Sequence, residues 1–374
     1  MSVVGSFPRQ SKRLAQRLPP GCETAPGAVV PTDDGVLVAN IHDVARVAGV
    51  SISTVSYALS GKRSIAASTK QRIDEAVLEL DYRANAGARM LKGARTQILA
   101  LSAPLHAGTH APAHMTFVLS VVTAARKYDY DVLLLTQDEA TSGLRRVVRS
   151  SLVDGIVLLD VSTADPRTDL VRELGLPATV IGIPNDTEGL TCVDLDFERA
   201  AVMAVRRLVD LGHREIGLIG QAPAVYERGS NFPPRFRDAF LAEAARLGAT
   251  AAFTPAAEES AGARAAFDGL TQTLPGMTAL VMHCNEPVQS MVLELLNQRG
   301  ISVPNDLSVV SACSSFSTDH LTPPLDVIPL PADQSCTRAI ELTMAQLAGD
   351  ALPHVEFIEP TYVELGSTST PTRP

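Results

Sequence analysis

Residues 41–61 read IHDVARVAGVSISTVSYALSG, with the spacing of two short helices joined by a tight turn. Asn40 precedes the first helix as an N-cap, its side-chain oxygen placed to accept a backbone N–H that the opening turn leaves unpaired. Ile41, Val44, Ala45 and Ala48 fall on one helical face, and Gly49 supplies the turn, where a Cβ would obstruct the chain. Ser51 caps a second helix, which turns Val55, Ala58 and Leu59 back on the first. Its outer face carries Ile52, Ser53, Thr54, Ser56 and Tyr57. An αα-hairpin inside a core has no use for that row of hydroxyls beside an aromatic ring. The same row suits phosphates and base edges, and the geometry is that of a helix-turn-helix whose second helix enters a DNA major groove.

Residues 68–80 (STKQRIDEAVLEL) form a third amphipathic helix with Ile73, Ala76, Val77 and Leu80 inward, followed by DYRANAGARMLKGARTQ over residues 81–97. From residue 41 to about 95 the chain resembles the headpiece of LacI/GalR-family transcriptional repressors. The match rests on Asp43, Val44, Ala45, Ala48, Gly49, Val50, Ser51, Thr54, Val55, Ser56, Leu59, Tyr82, Asn85, Ala88, Arg89 and Leu91. The departures are Tyr57 for the usual Arg, Ser60 for Asn, Asp81 for Gly, Ala84 for Pro, and Gly87 for a larger residue. The resemblance implies that Ile52, Ser53 and Tyr57 read bases, while Asn40, His42, Ser51, Thr54, Ser56 and Asn85 serve the DNA backbone and the headpiece frame. Without the Arg fork that best reads guanine, Ile52 and Tyr57 are expected to pack on thymine methyls, giving a half-site unlike those of better-known relatives. In relatives the next segment becomes a hinge helix on the operator and wedges a Leu into a central minor-groove step. Leu91 matches that wedge, with Ala88, Arg89 and Lys92 beside it in the groove.

Charge is distributed to match. Residues 40–95 hold nine Lys/Arg against five Asp/Glu, while the whole chain has a formal net charge of −9. An acidic protein with one basic end confines its nucleic-acid contacts to that end. No run of about 18 apolar residues exists to span a membrane, and the first residues carry no apolar secretory core. Five scattered cysteines without a C-x-x-C fit reduced thiols in a cytoplasm. Residues 1–39, rich in Pro and Gly, are expected to be a disordered tail, as are residues 369–374. The headpiece is assigned to residues 40–83 and the hinge to 84–95.

From residue 96 onward, apolar runs alternate with amphipathic helices. The runs are ILALSA, DVLLLT, GIVLLD, ATVIGI, EIGLIG, ALVMHC and LSVVSA. Continuous apolar strands separated by helices imply parallel sheets covered on both faces, and the count suffices for two. The expected fold class is therefore an all-α helix-turn-helix headpiece with a hinge helix, followed by an α/β two-lobed sensor. Residues 96–368 resemble the periplasmic-binding-protein-like sensor of the same family. The resemblance implies three crossings between lobes, near residues 193–195, 324–326 and 352–354. Lobe 1 is thus expected over about 96–194 and 326–352, and lobe 2 over about 195–325 and 353–368.

An effector cleft is expected between the lobes, at the carboxyl ends of the strands. His106, Thr109, His110 and His114 stand in the loop after the first strand. Their spacing, on a Gly/Pro loop without a neighbouring acid or thiol, does not fit zinc, and they read as ligand hydrogen-bonders or solvent-exposed residues. Relatives place an Arg before a Gly-Phe that opens a helix; here Phe232 takes the Arg position and Arg235 the Gly, leaving Arg228, Arg235 and Arg237 as candidates to reach the cleft. Asn285 and Glu286 either bind ligand hydroxyls or cap the helix that follows. The usual late Asp pair is replaced by SACSS over residues 311–315.

The function expected from these features is a homodimeric repressor on a pseudo-palindromic double-stranded operator, controlled by a small molecule, with sugar the family's commonest effector. Helices from Phe117 and Ala332 are the expected dimer face. No cofactor and no metal are called for, and the catalytic signatures G-x-S-x-G, Walker and G-x-G-x-x-G are missing from the sequence. A transport-type binding protein and a regulator with an unresponsive cleft are the alternatives.

Overall fold

The computed structural model describes residues 39–60, 65–80, 82, 95–106, 109–136, 139–350 and 355–372. The chain divides into two units, residues 1–89 and 90–374.

The first unit holds α1 (Ile41–Ala48), α2 (Ile52–Ser60) and α3 (Ala67–Glu79). Asn40 Oδ1 accepts from the backbone N–H of His42 at 2.8 Å and of Asp43 at 3.3 Å, and Asp43 accepts from the Asn40 N–H at 3.0 Å. This reciprocal capping box satisfies donors that a helix start otherwise leaves to solvent. Gly49 ends α1 at φ 65, in the left-handed region that penalises a side chain. Ser51 Oγ accepts from the Thr54 N–H at 3.2 Å and so caps α2. Val44, Ala45, Ala48, Val55, Ile73, Ala76 and Tyr82 meet in one small core.

The second unit contains two parallel sheets. The first runs β11-β5-β4-β3-β1-β2. It is built from β1 (Ile98–Ser102), β2 (Asp131–Leu135), β3 (Gly155–Leu158), β4 (Ala178–Ile181), β5 (Thr191–Leu195) and β11 (Val355–Ile358). The second runs β10-β9-β8-β6-β7, from β6 (Glu215–Gly220), β7 (Thr250–Pro255), β8 (Ala279–Met282), β9 (Ser308–Ser314) and β10 (Asp326–Pro329). Helices α4 (Ala111–Arg126), α5 (Glu139–Arg149), α6 (Pro166–Leu174) and α12 (Ala332–Ala348) belong to the first lobe. Helices α7 (Phe197–Asp210), α8 (Pro223–Glu227), α9 (Phe232–Arg246), α10 (Ser260–Thr273) and α11 (Glu286–Gln298) belong to the second.

Strand alternation explains the layers. In the first sheet Leu99, Leu101 and Val157 pack with Val121 of α4 and Ile340 of α12, while Ile156 and Leu158 pack with Leu144 of α5 and Leu170 of α6. In the second sheet Leu218, Val281 and Val310 meet Phe236 and Phe240 of α9, while Ile219, Leu280 and Val309 meet Phe267 of α10 and Val292 of α11. Burial on both faces is what parallel strands require.

Three boundaries differ from expectation. Strand β10 was assigned by sequence to the start of lobe 1, yet it pairs with β9 in the second sheet. The second crossing therefore follows at residues 330–331. Strand β11 pairs with β5 in the first sheet, so the third crossing comes after Ile358 and not at residues 352–354, which lie outside the described residues. Both strands are four residues long and adjoin a crossing, and so short an apolar run carries no mark of the sheet it joins. The third difference is the expected C-terminal tail. The Ser369 N–H donates to Ser308 Oγ at 3.0 Å, its carbonyl accepts from His213 Nε2 at 2.9 Å, and Thr372 donates to the Asn305 carbonyl at 3.1 Å. Asp326 anchors the same strip. It accepts from the N–H groups of Leu365, Gly366 and Ser367 and from the hydroxyls of Tyr362 and Thr368. Burial raises its pKa, but these donors outweigh burial and hold the carboxyl below the usual range.

Candidate nucleic-acid interface and ligand cleft

On α2 the side chains of Ile52 and Tyr57 are 41 % and 43 % exposed, and Ser53 is exposed beside them. Two residues depart from the sequence reading. Ser56, expected on the outer face, is only 8 % exposed, and Leu59, expected against α1, is exposed. Helix α2 packs on both α1 and α3, and this second contact covers the flank next to Val55 while freeing the far end of the helix. Thr54 is half-buried, its hydroxyl 2.8 Å from Ser51 Oγ. His42 is exposed beside the Asn40 cap. Asn85, Ala88, Arg89, Leu91 and Lys92 lie outside the described residues.

The interlobe cleft holds a cavity of about 160 Å³, partly open to solvent, at the carboxyl ends of the strands. Thr109, His110, His114 and Asn285 stand in its wall; His106, Arg235 and Glu286 do not. His106 lines an adjoining cavity of about 220 Å³ with Asp165 and Arg167. Glu286 opens α11 and lies 3.3 Å from His320. Asn285 occupies the N-cap position of α11 without a side-chain cap bond; its amide donates to Glu258 instead. Arg235 bridges the lobes from behind the wall, donating to Asp194 at 2.6 Å and to Glu198 at 2.7 Å. It also stacks over Phe197, 5.6 Å from the ring centroid. Burial pushes the Asp194 carboxyl up to about 6 despite the adjacent guanidinium.

Of the polar contact that crosses the cleft mouth, Arg228 was a sequence candidate and reaches the wall, whereas its partner Asp160 was not singled out. Arg228, at the end of α8, donates to both oxygens of Asp160 at 3.0 Å and to Thr109 Oγ1 at 3.1 Å. Asp160 sits at φ 53, a left-handed conformation that non-glycine residues rarely adopt. Arg167, itself buried, fixes that turn: it donates to the carbonyls of Ser102, Leu159 and Asp160 and pairs with Asp165 at 2.7 Å. A backbone bond also joins the lobes, from the Thr163 N–H to the Gly229 carbonyl at 2.8 Å, and the Asn231 amide donates to the Ile183 carbonyl. The only sequence signal for Asp160 was an acid closing an apolar strand.

Burial lowers the pKa values of His106 and His114, so both are neutral near pH 7. His114 Nε2 is buried without a partner. Behind the wall His283 is enclosed by Phe197, Phe232 and Phe236, its ring 4.2 Å from that of Phe236, and burial pushes it down to about 3. Two crossings contribute to the wall directly, through Leu195 and Phe197 at the first and Leu330 at the second.

Comparison with known proteins supplies two family matches. Residues 40–85 match the model for bacterial regulatory proteins of the lacI family, and residues 205–368 match a periplasmic binding protein-like domain. An uncharacterized HTH-type transcriptional regulator in the aml 5′ region of Streptomyces limosus is 31% identical over 359 residues, covering 91% of this chain and 97% of that one. Catabolite control protein A of Staphylococcus xylosus is 25% identical over 295 residues, 78% of this chain and 87% of the relative. Among solved structures, the lac repressor dimer bound to operator and the anti-inducer ONPF superposes with a TM-score of 0.74 at 19% identity, covering 89% of this chain and 99% of that one. The CelR–cellobiose complex gives 0.62 at 22% identity, covering 88% and 99%.

Proposed function

The chain belongs to the LacI family of bacterial regulatory proteins, and on that premise we propose that it is a sequence-specific transcriptional repressor, binding a pseudo-palindromic operator as a homodimer under the control of a small molecule held between its lobes. The observation that carries this reading is the exposed row Ile52, Ser53 and Tyr57 on a helix entered through a capped glycine turn. Ile52 and Tyr57 offer apolar contact to thymine methyls, and Ser53 offers a hydroxyl to base or phosphate. Leu91 is assigned the minor-groove wedge, with Ala88, Arg89 and Lys92 around it, by likeness to relatives.

One headpiece reads only half a site, so the repressor acts as a pair. Met115 and Leu119 of α4, 41 % and 60 % exposed, support α4 as part of the pairing face. The relatives are transcriptional regulators, and we read this chain likewise as having no enzymatic activity. We assign it to the cytoplasm, where its DNA is; no helix among the described residues is long and apolar enough to cross a membrane.

The deciding experiment is selection of random duplex DNA by the full-length protein, followed by sequencing. Two inverted half-sites are expected. Failure to enrich any motif, with and without a cell extract's small-molecule fraction, would overturn the repressor reading.

A further inference from the structure

We infer that the cleft takes an uncharged single-ring molecule bearing one or two hydrogen-bonding groups, and not a polyhydroxylated sugar; this rests on the regulator reading above. Four observations lead there. The charged groups of the wall neutralise one another: Asp160 is held by Arg228, and Asp194 by Arg235 from behind. Among the described wall residues no free charge is left to meet an ionic ligand, and an unpaired ion brought into such a site loses its hydration without compensation.

The short polar side chains are also engaged by the protein itself. Thr109 accepts from Arg228, the Asn231 amide donates to Ile183, the Asn285 amide donates to Glu258, and Ser314 hydrogen-bonds with Ser311 and Gln289. A sugar brings a hydroxyl on nearly every carbon, and each one buried without a partner is penalised. What remains in the wall is chiefly Leu159, Val161, Ile181, Phe197, Val225 and Phe232. Gln221 and Ser335 are buried there and make no side-chain hydrogen bond among the described residues, and His114 Nε2 is buried without a partner, which leaves these three to read a hydroxyl or carbonyl. The fourth observation is size. The cavity measures about 160 Å³, and an apolar cavity of roughly 150 Å³ is known to accept benzene. One substituted ring fills this space, whereas a disaccharide would extend out of it through the open side of the cleft.

The test uses the full-length protein, with phenol, toluene, benzoate, glucose and cellobiose as probes at equal millimolar concentrations. Thermal unfolding and titration calorimetry are the readouts. Phenol is expected to raise the unfolding temperature, and benzoate, glucose and cellobiose are expected to leave it unchanged. Phenol should also bind about fivefold tighter than toluene through one hydrogen bond, and the triple change His114→Leu, Gln221→Leu and Ser335→Ala should erase that advantage. Ala113→Phe, which fills the cavity from the start of α4, should remove phenol binding altogether. No response to phenol, or an equal response to cellobiose or benzoate, overturns the assignment. The same preparation is assayed on its selected duplex: retained operator binding with the wrong ligand class sinks only this inference, whereas absent operator binding sinks the regulator reading beneath it.

Discussion

Replacing Arg228 by Met removes the clasp between the lobes while keeping much of the side chain's bulk. The Arg228 and Asp160 side chains are 19% and 11% exposed, and they share two bonds of 3.0 Å. A fully exposed pair contributes about 0–1 kcal/mol, and breaking a fully buried one costs about 3–5 kcal/mol. This pair lies between those limits, so its loss should weaken closure by about 2 kcal/mol, or roughly 30-fold in the closed-to-open ratio. The readout is local. The Thr163 N–H is bonded to the Gly229 carbonyl across the cleft at 2.8 Å, so it exchanges with deuterium only when the lobes part. In the Arg228→Met protein that amide should exchange about 30-fold faster. The Ser308 N–H, bonded within lobe 2 to the Thr278 carbonyl at 3.0 Å, should be unaffected. Unchanged exchange at Thr163 would show that the pair does not hold the lobes together. Equal acceleration at both amides would show general destabilisation and refute the clasp as well.

Other expectations concern the headpiece and the buried acid. Tyr57→Arg restores a guanine-reading fork and should shift the selected motif toward guanine in each half-site by about 1–3 kcal/mol; an unchanged motif would remove Tyr57 from the base-reading set. Asn40→Ala deletes two cap bonds and should lower headpiece stability by about 1 kcal/mol, visible as an earlier first transition in heating. Leu91→Ala should abolish tight operator binding while calorimetry with a cleft ligand stays unchanged; retained operator affinity would end the wedge assignment. Asp194 is raised from 3.8 to about 6 in the folded protein. The stability it supplies is therefore full below its unfolded value and is lost as pH rises through about 6. Asp194→Asn should flatten that part of the urea-midpoint curve, and an identical slope in both proteins would place the titration elsewhere.

How much of this was legible in sequence depended on how far apart the interacting residues lie. The headpiece turn is written in neighbours: Asn40 with Asp43, Gly49, and Ser51 with Thr54 act within three residues of each other. Most central strands were equally plain, because burial on both faces demands unbroken apolar runs, but β5, interrupted by Asp194, was read only as a crossing. Strand β7 escaped because its TAAFTP is small and half-buried at a sheet edge. Strands β10 and β11 escaped because membership of a sheet is decided by residues far along the chain. The cleft was the least legible part. Asp160 and Arg228 are 68 residues apart, and nothing local to either predicts the other. Arg235 was drawn toward the ligand by its place at the start of α9, but Asp194 and Glu198 intercept it.

The chain passes between lobes at Asp196, at residues 330–331 and after Ile358, and Leu195, Phe197 and Leu330 line the cavity. Pivot and floor are thus the same residues. A molecule settling there presses on the axle itself, with no intervening loop to absorb its bulk. Arg167 stiffens the wall above by tying Ser102, Leu159 and Asp160 into one block. An occupant that bears on Leu195, Phe197 or Leu330 therefore acts at the crossings themselves, the place where hinge closure of two lobes absorbs its change in backbone angle.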